Sequence, residues 1–121
     1  MRDPAGRVTS PRRRVLAIVD LDAGGTFVAR RAWELASGDG ARFALAHVMD
    51  WGIGLEDGFS PLTPGEIHDR LSVVVHRRLD RMAAGIGAAG RAATLATPWE
   101  GLGRMLAGWQ PDLVVASSRA G

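Results

Sequence analysis

The sequence predicts an α/β domain built on an open, mainly parallel sheet with helices on both faces. Three observations carry that expectation. Short, continuously apolar, β-branched runs recur, with Val15-Leu16-Ala17-Ile18-Val19 and Leu113-Val114-Val115-Ala116 the strongest, as strands buried on both faces require. Between them lie segments with apolar residues three and four apart, the pattern of helices packed by one face. Strands that alternate with helices imply parallel pairing through right-handed crossovers.

The first strand, Val15 to Val19, ends at Asp20. A turn-rich stretch from Leu21 to Gly25 follows, then a helix with Val28, Ala32, Leu35 and Ala36 on one side, stopped by Gly38-Asp39-Gly40. Phe43 to Met49 is the second strand. The connection from Asp50 to Leu62, rich in Gly and Asp, is longer than most and reads as a binding loop, a lid or disorder. Thr63-Pro64-Gly65-Glu66 is a capping box with proline at the first helical position, and it opens a long helix. The stripe Ile67, Leu71, Val74, Val75, Leu79, Met82 and Ile86 should lie on the sheet, with Arg70, Arg77, Asp80 and Arg81 off it. Ala92 to Ala96 is a weak third strand, and Pro98-Trp99-Glu100 opens a third helix through Trp109. Leu113 to Ser117 is the fourth strand.

Length and composition fit one domain. The chain has 121 residues, 46% of them hydrophobic, which is near the globular average. We expect a flexible basic tail over residues 1–12 and a single domain over 13–121. No apolar run approaches the ~20 residues of a membrane helix, and the arginine-rich start has no apolar stretch of a secretory signal behind it. The expected location is cytoplasmic, with no membrane contact. With no cysteine there is no disulfide framework, thiolate metal site or cysteine nucleophile, and no metal site is expected.

The calculated pI of 10.9 does not make this a nucleic-acid-binding protein. All 15 basic residues are arginine and there is no Lys, Tyr or Cys, so nothing titrates between histidine and arginine and the net charge of +2 persists to high pH. Arg2, Arg7, Arg12, Arg13 and Arg14 precede Val15; from there on, ten arginines face twelve acids, a net of −2. The tail reads as a solvated chain end, and nucleic acid is not an expected partner.

In open parallel sheets, ligands bind outside the carboxyl ends of the strands where the strand order reverses. That rule points to Asp20 to Gly25, Val48 to Trp51, Thr97, and Ser117 to Gly121. Four segments of the chain, three of them overlapping these, also carry a family resemblance. Asp20 through Ala36 resembles the opening of the universal stress proteins: a strand ending in Asp, a short turn and an Ala- and Leu-rich helix. His47-Val48-Met49-Asp50 is similar to the end of their second strand, Pro98-Trp99-Glu100 and Asp112-Leu113-Val114-Val115 to their third helix and the strand after it. Ser117-Ser118-Arg119-Ala120 stands where they have a Gly-Ser-Arg-Gly type of turn. The match covers roughly Arg13 to Gly121.

The resemblance implies a Rossmann-like fold of strand order 3-2-1-4-5, here 3-2-1-4 with the fifth strand missing, and a homodimer. In one branch of the family it implies an ATP site, in which Asp20 and Val48 would meet the adenine and ribose, with magnesium at the phosphates. Phosphate would sit in the turn after strand four. Glycine is wanted there so that backbone amides can approach phosphate, sometimes at positive φ. This chain has Ser117 and Ala120 at those positions, with Ser118 beside the first. Leu21 and Asp22 replace the family's Gly-Ser turn after strand one, and Asp22 adds negative charge near a triphosphate. The expectation is therefore a stress-response binding module without tight ATP binding; binding of ATP or AMP is the alternative. The resemblance also places an unpaired edge at Leu113, Val114, Val115 and Ala116, which would pair with a second chain or be masked by the N-terminal tail.

An apolar strand followed by Asp20-Leu21-Asp22 is also similar to the haloacid dehalogenase phosphatases, which use the first Asp as nucleophile and the second as acid/base around Mg²⁺. Those enzymes expect Thr or Val where this chain has Gly24, and a lysine it lacks, so no catalytic residue is assigned. Gly85-Ile86-Gly87-Ala88-Ala89-Gly90 spells a dinucleotide fingerprint, but it follows a helix and precedes a strand, the reverse of what that mechanism needs. His68 and His76 are eight apart, too far for a helical metal pair. Trp33, Trp99 and Trp109 are expected to pack in the core or at a dimer contact.

Overall fold

Both β-branched runs become strands in the computed structural model, which describes residues 13–49 and 63–116, but only the first is buried on both faces as expected: the second leaves Leu113 and Val114 exposed. The elements are β1 (Arg14–Ile18), α1 (Ala23–Asp39), β2 (Arg42–Met49), α2 (Pro64–Gly85), β3 (Ala92–Pro98), a 3-10 turn (Trp99–Gly101), α3 (Leu102–Trp109) and β4 (Leu113–Ala116). The sheet has the order β3-β2-β1-β4, and every pair is parallel. This is the expected α/β architecture. The tail, the Asp50–Leu62 connection and Ser117 to Gly121 lie outside the described residues.

Side chains alternate across the strands, so β1 serves two cores at once. Val15, Ala17 and Val19 join Phe43, Leu45 and Met49 under α1 and α2; Leu79, fully buried, is the largest side chain α2 adds. On the opposite face Leu16, Ala44 and Ala46 lie under α3, which contributes Met105, Leu106 and Trp109. The crossing to the second face is pinned at its far end. Arg14 donates through Nη1 to the Trp109 carbonyl at 2.9 Å and through its backbone N–H to Asp112 Oδ2 at 2.8 Å, so α3 and the entry to β4 are tied to the start of β1.

Local signals set the helix ends. α1 stops at Gly40, whose φ of 65° is the left-handed cap conformation that glycine adopts without strain. α2 opens on the expected capping box: Glu66 N–H donates to Thr63 Oγ1 and Thr63 N–H to Glu66 Oε1, both at 3.1 Å.

Three expectations need correction. Val75, Leu79 and Ile86 of the α2 stripe are buried, but Leu71 and Val74 are exposed. Thr97 belongs to β3 rather than to the loop after it, and Pro98 is the strand's last residue, with the 3-10 turn preceding α3. Trp99 is 70% exposed and so lies outside the core, while Trp33 packs on Phe43 with ring centroids 5.2 Å apart.

Candidate functional site

The strand order reverses between β1 and β4, because α1 and α2 lie on one face and α3 on the other. The carboxyl ends of those two strands therefore open a crevice. Ile18 lies opposite Ala46 on β2 and Ala116 on β4. Continuing the β1–β2 register by two residues puts Asp20 across from Val48. The ends of β1 and β2 thus lead to one rim, with Asp20 two residues past the last pair of the ladder and Val48 still on β2, and β4 delivers the chain to the same rim at Ala116. Ser117, Ser118 and Ala120, which follow, lie outside the described residues.

The turn from β1 into α1 is held by its own backbone. Asp22, in an extended conformation, caps α1, its Oδ1 accepting from the Gly25 N–H at 2.8 Å. Its carbonyl accepts from the Thr26 N–H at 3.0 Å and from Thr26 Oγ1 at 3.3 Å. Gly25 is buried directly against the Asp20 carbonyl, with no room for a side chain. The close approach that makes glycine necessary thus falls three residues into α1 rather than in the turn, where the sequence has Leu21 and Asp22.

Two neighbours of this turn were not singled out from sequence. His47 reaches the Val19 carbonyl through Nδ1 at 2.7 Å; a carbonyl only accepts, so the proton is on Nδ1. Its position in the His47-Val48 pair was the available signal. Arg78 of α2 donates through Nη2 to the Leu21 carbonyl at 3.0 Å, a tie between residues 57 apart that no local pattern announces. Leu21, Asp22 and Thr26 face Arg78, Arg81 and Met82 across a shallow cleft of about 320 Å³. Two guanidiniums and one carboxylate line it, and Arg78 is already engaged.

These residues can position a polar ligand at the rim, with acidic side chains on the β1 side. Among the described residues no group of three or more His, Asp or Glu could hold a metal ion.

No known family's model matches the sequence, and no curated protein is significantly similar to it. The fold, however, has a counterpart. The structure is similar to that of protein Rv1636 from Mycobacterium tuberculosis H37Rv, with a TM-score of 0.52 and 16% identity over 93% of this chain and 75% of that one. That protein has a fold of the universal-stress-protein type. At such identity the likeness concerns the fold alone, and it agrees with the strand order and crossovers found here: the chain has an α/β fold of that type.

Proposed function

We propose that the chain is a universal-stress-protein-like binding module of the stress response, that its ligand crevice is the β1–β4 rim beside Asp20 and Val48, and that it does not hold ATP tightly. One observation carries this reading: the Asp22 carboxylate sits on the α1 N-terminus, where it takes up the Gly25 N–H and adds charge two residues from Asp20. A helix N-terminus left open would favour phosphate; one already capped by a carboxylate does not. The likeness to Rv1636 supports this reading through the fold.

Thermal melting with ATP, ADP and AMP in magnesium tests the proposal. No nucleotide should raise the midpoint appreciably. A shift that disappears in Asp20→Ala would replace this reading with adenine-nucleotide binding.

The module is further proposed to act as a homodimer through β4. Among the described residues β4 pairs only with β1, and its outward edge carries no charge and no proline. Leu113 and Val114 are both exposed there.

A further inference from the structure

We propose a second ligand site, on the opposite edge of the sheet from β4, that takes a small organic anion with an apolar body. It lies between α2, the outer half of β3 and the start of α3, and forms an open pocket of about 420 Å³ whose lining includes His68, Leu95, Thr97, Gly101, Arg104 and Met105. That volume is within the range of about 300 to 1,000 Å³ in which small-molecule sites fall. Thr97 pairs with Val48 on the neighbouring strand, so the pocket adjoins the rim on that side. Its lining includes neither Asp20 nor Val48, however, and runs on toward the β3 edge, beyond the function proposed for the rim.

The chemistry of the lining chooses the ligand. Leu95, Pro98 and Met105 give apolar walls, and the polar groups sit at the ends of different elements: His68 on α2, Thr97 on β3, Arg104 on α3. Among the described residues no Asp or Glu lines the pocket, which distinguishes it from the Arg78–Asp22 cleft, where a carboxylate already faces the arginines. Among the described residues no carboxylate or carbonyl claims the Arg104 guanidinium. Guanidinium binds carboxylate and phosphate in a bidentate fork, and the adjoining apolar surface rewards a ligand whose body can be buried. The cavity floor is fixed by Gly101, where an added Cβ would run into Thr97 Oγ1; that hydroxyl is itself held by donating to the Pro98 carbonyl at 2.9 Å. The backbone here comes close without a side chain intervening, which keeps the space open.

The test is a ¹H–¹⁵N NMR titration of the whole chain with phenyl phosphate, with benzoate, and with benzyl alcohol as a neutral analogue of similar size. Saturable shifts should centre on the amides of Thr97, Gly101, Arg104 and Met105. Either anion should bind about tenfold more tightly than benzyl alcohol, and the tighter of the two names the head group. Arg104→Gln should weaken anion binding about tenfold and leave the melting midpoint unchanged, since its side chain is at the surface. Asp20→Ala should leave anion binding unchanged, which keeps failure of this site distinct from failure at the β1–β4 rim. Equal binding of the neutral analogue, insensitivity to Arg104→Gln, shifts scattered away from the cavity, or no saturable shift would each overturn the proposal.

Discussion

The α-carbon of Gly25 stands so close to the main-chain carbonyl of Asp20 that a Cβ built on it would lie 1.7 Å from the oxygen. Backbone cannot yield as a flexible side chain does, so the turn and the helix must separate to admit any side chain. Gly25→Ala should destabilise the fold by about 3 kcal/mol. Gly24→Ala, whose Cβ meets only Asp22 Oδ1 at 3.3 Å, should cost distinctly less. Urea unfolding of the two variants, side by side, measures the difference.

Asp22 combines a cap with a charge, and the two can be separated. Asparagine caps about as well as aspartate, so Asp22→Asn should keep stability near the wild type, whereas Asp22→Ala should lose about 1 kcal/mol. If the negative charge disfavours phosphate at this rim, Asp22→Asn should bind ATP more tightly than the wild type. Calorimetric titration reads the affinity, and no gain would remove charge as the explanation.

Phosphatase chemistry would require Asp22 to exchange protons, yet its carboxylate is engaged with the Gly25 N–H. Magnesium-dependent hydrolysis of p-nitrophenyl phosphate should be no faster with wild type than with Asp20→Asn. Turnover abolished by that substitution would establish an enzyme.

Glu66 supplies a pH dependence with a definite sign. The hydrogen bond from the Thr63 backbone N–H, and then that with the Thr63 side chain, lower its pKa below the ordinary value of 4.5. A carboxylate whose folded pKa is lowered stabilises the fold above its unfolded value, and that contribution is lost as pH falls through the folded pKa. The wild type should therefore lose more stability than Glu66→Gln between neutral pH and about pH 3. Paired urea midpoints for the two proteins at each pH provide the check.

The β4 edge should mediate association. The wild type is expected to run as a dimer in size-exclusion chromatography with light scattering, and Val114→Lys as a monomer, because an edge lysine resists strand addition. Val114 is already 43% exposed, so the substitution should change the melting point little. A monomeric wild type at high concentration would rule the edge out.

How much of this was legible in the sequence depends on the range of the interaction. The Thr63–Glu66 box and the Gly40 cap act within a few residues, and both stand where the pattern put them. Asp20 reached the rim because a buried strand must end somewhere, and the first polar residue after Val19 marks that point. Helical periodicity told which side of α2 is apolar but not which of its residues the sheet covers: Leu71 and Val74 belong to the stripe and stand exposed. The need for glycine at position 25 arises from a neighbouring backbone, and the Arg78–Leu21 tie from packing across the fold; neither leaves a local trace. The β3 cavity was missed for the same reason, since His68 and Arg104 meet only through the fold.

The two margins of the sheet are unlike, and the difference sets a limit on assembly. β3 is flanked by α2, which reaches it through the 2.8 Å contact between His76 Nδ1 and Thr94 Oγ1, and it ends in Pro98, which has no N–H to offer a further strand. β4 presents four residues without such an interruption. Among the described residues, strand addition is thus favoured at β4 over β3. Two copies joined by their β4 edges about a two-fold axis would use up that side in both, so growth stops at two instead of running on into a filament.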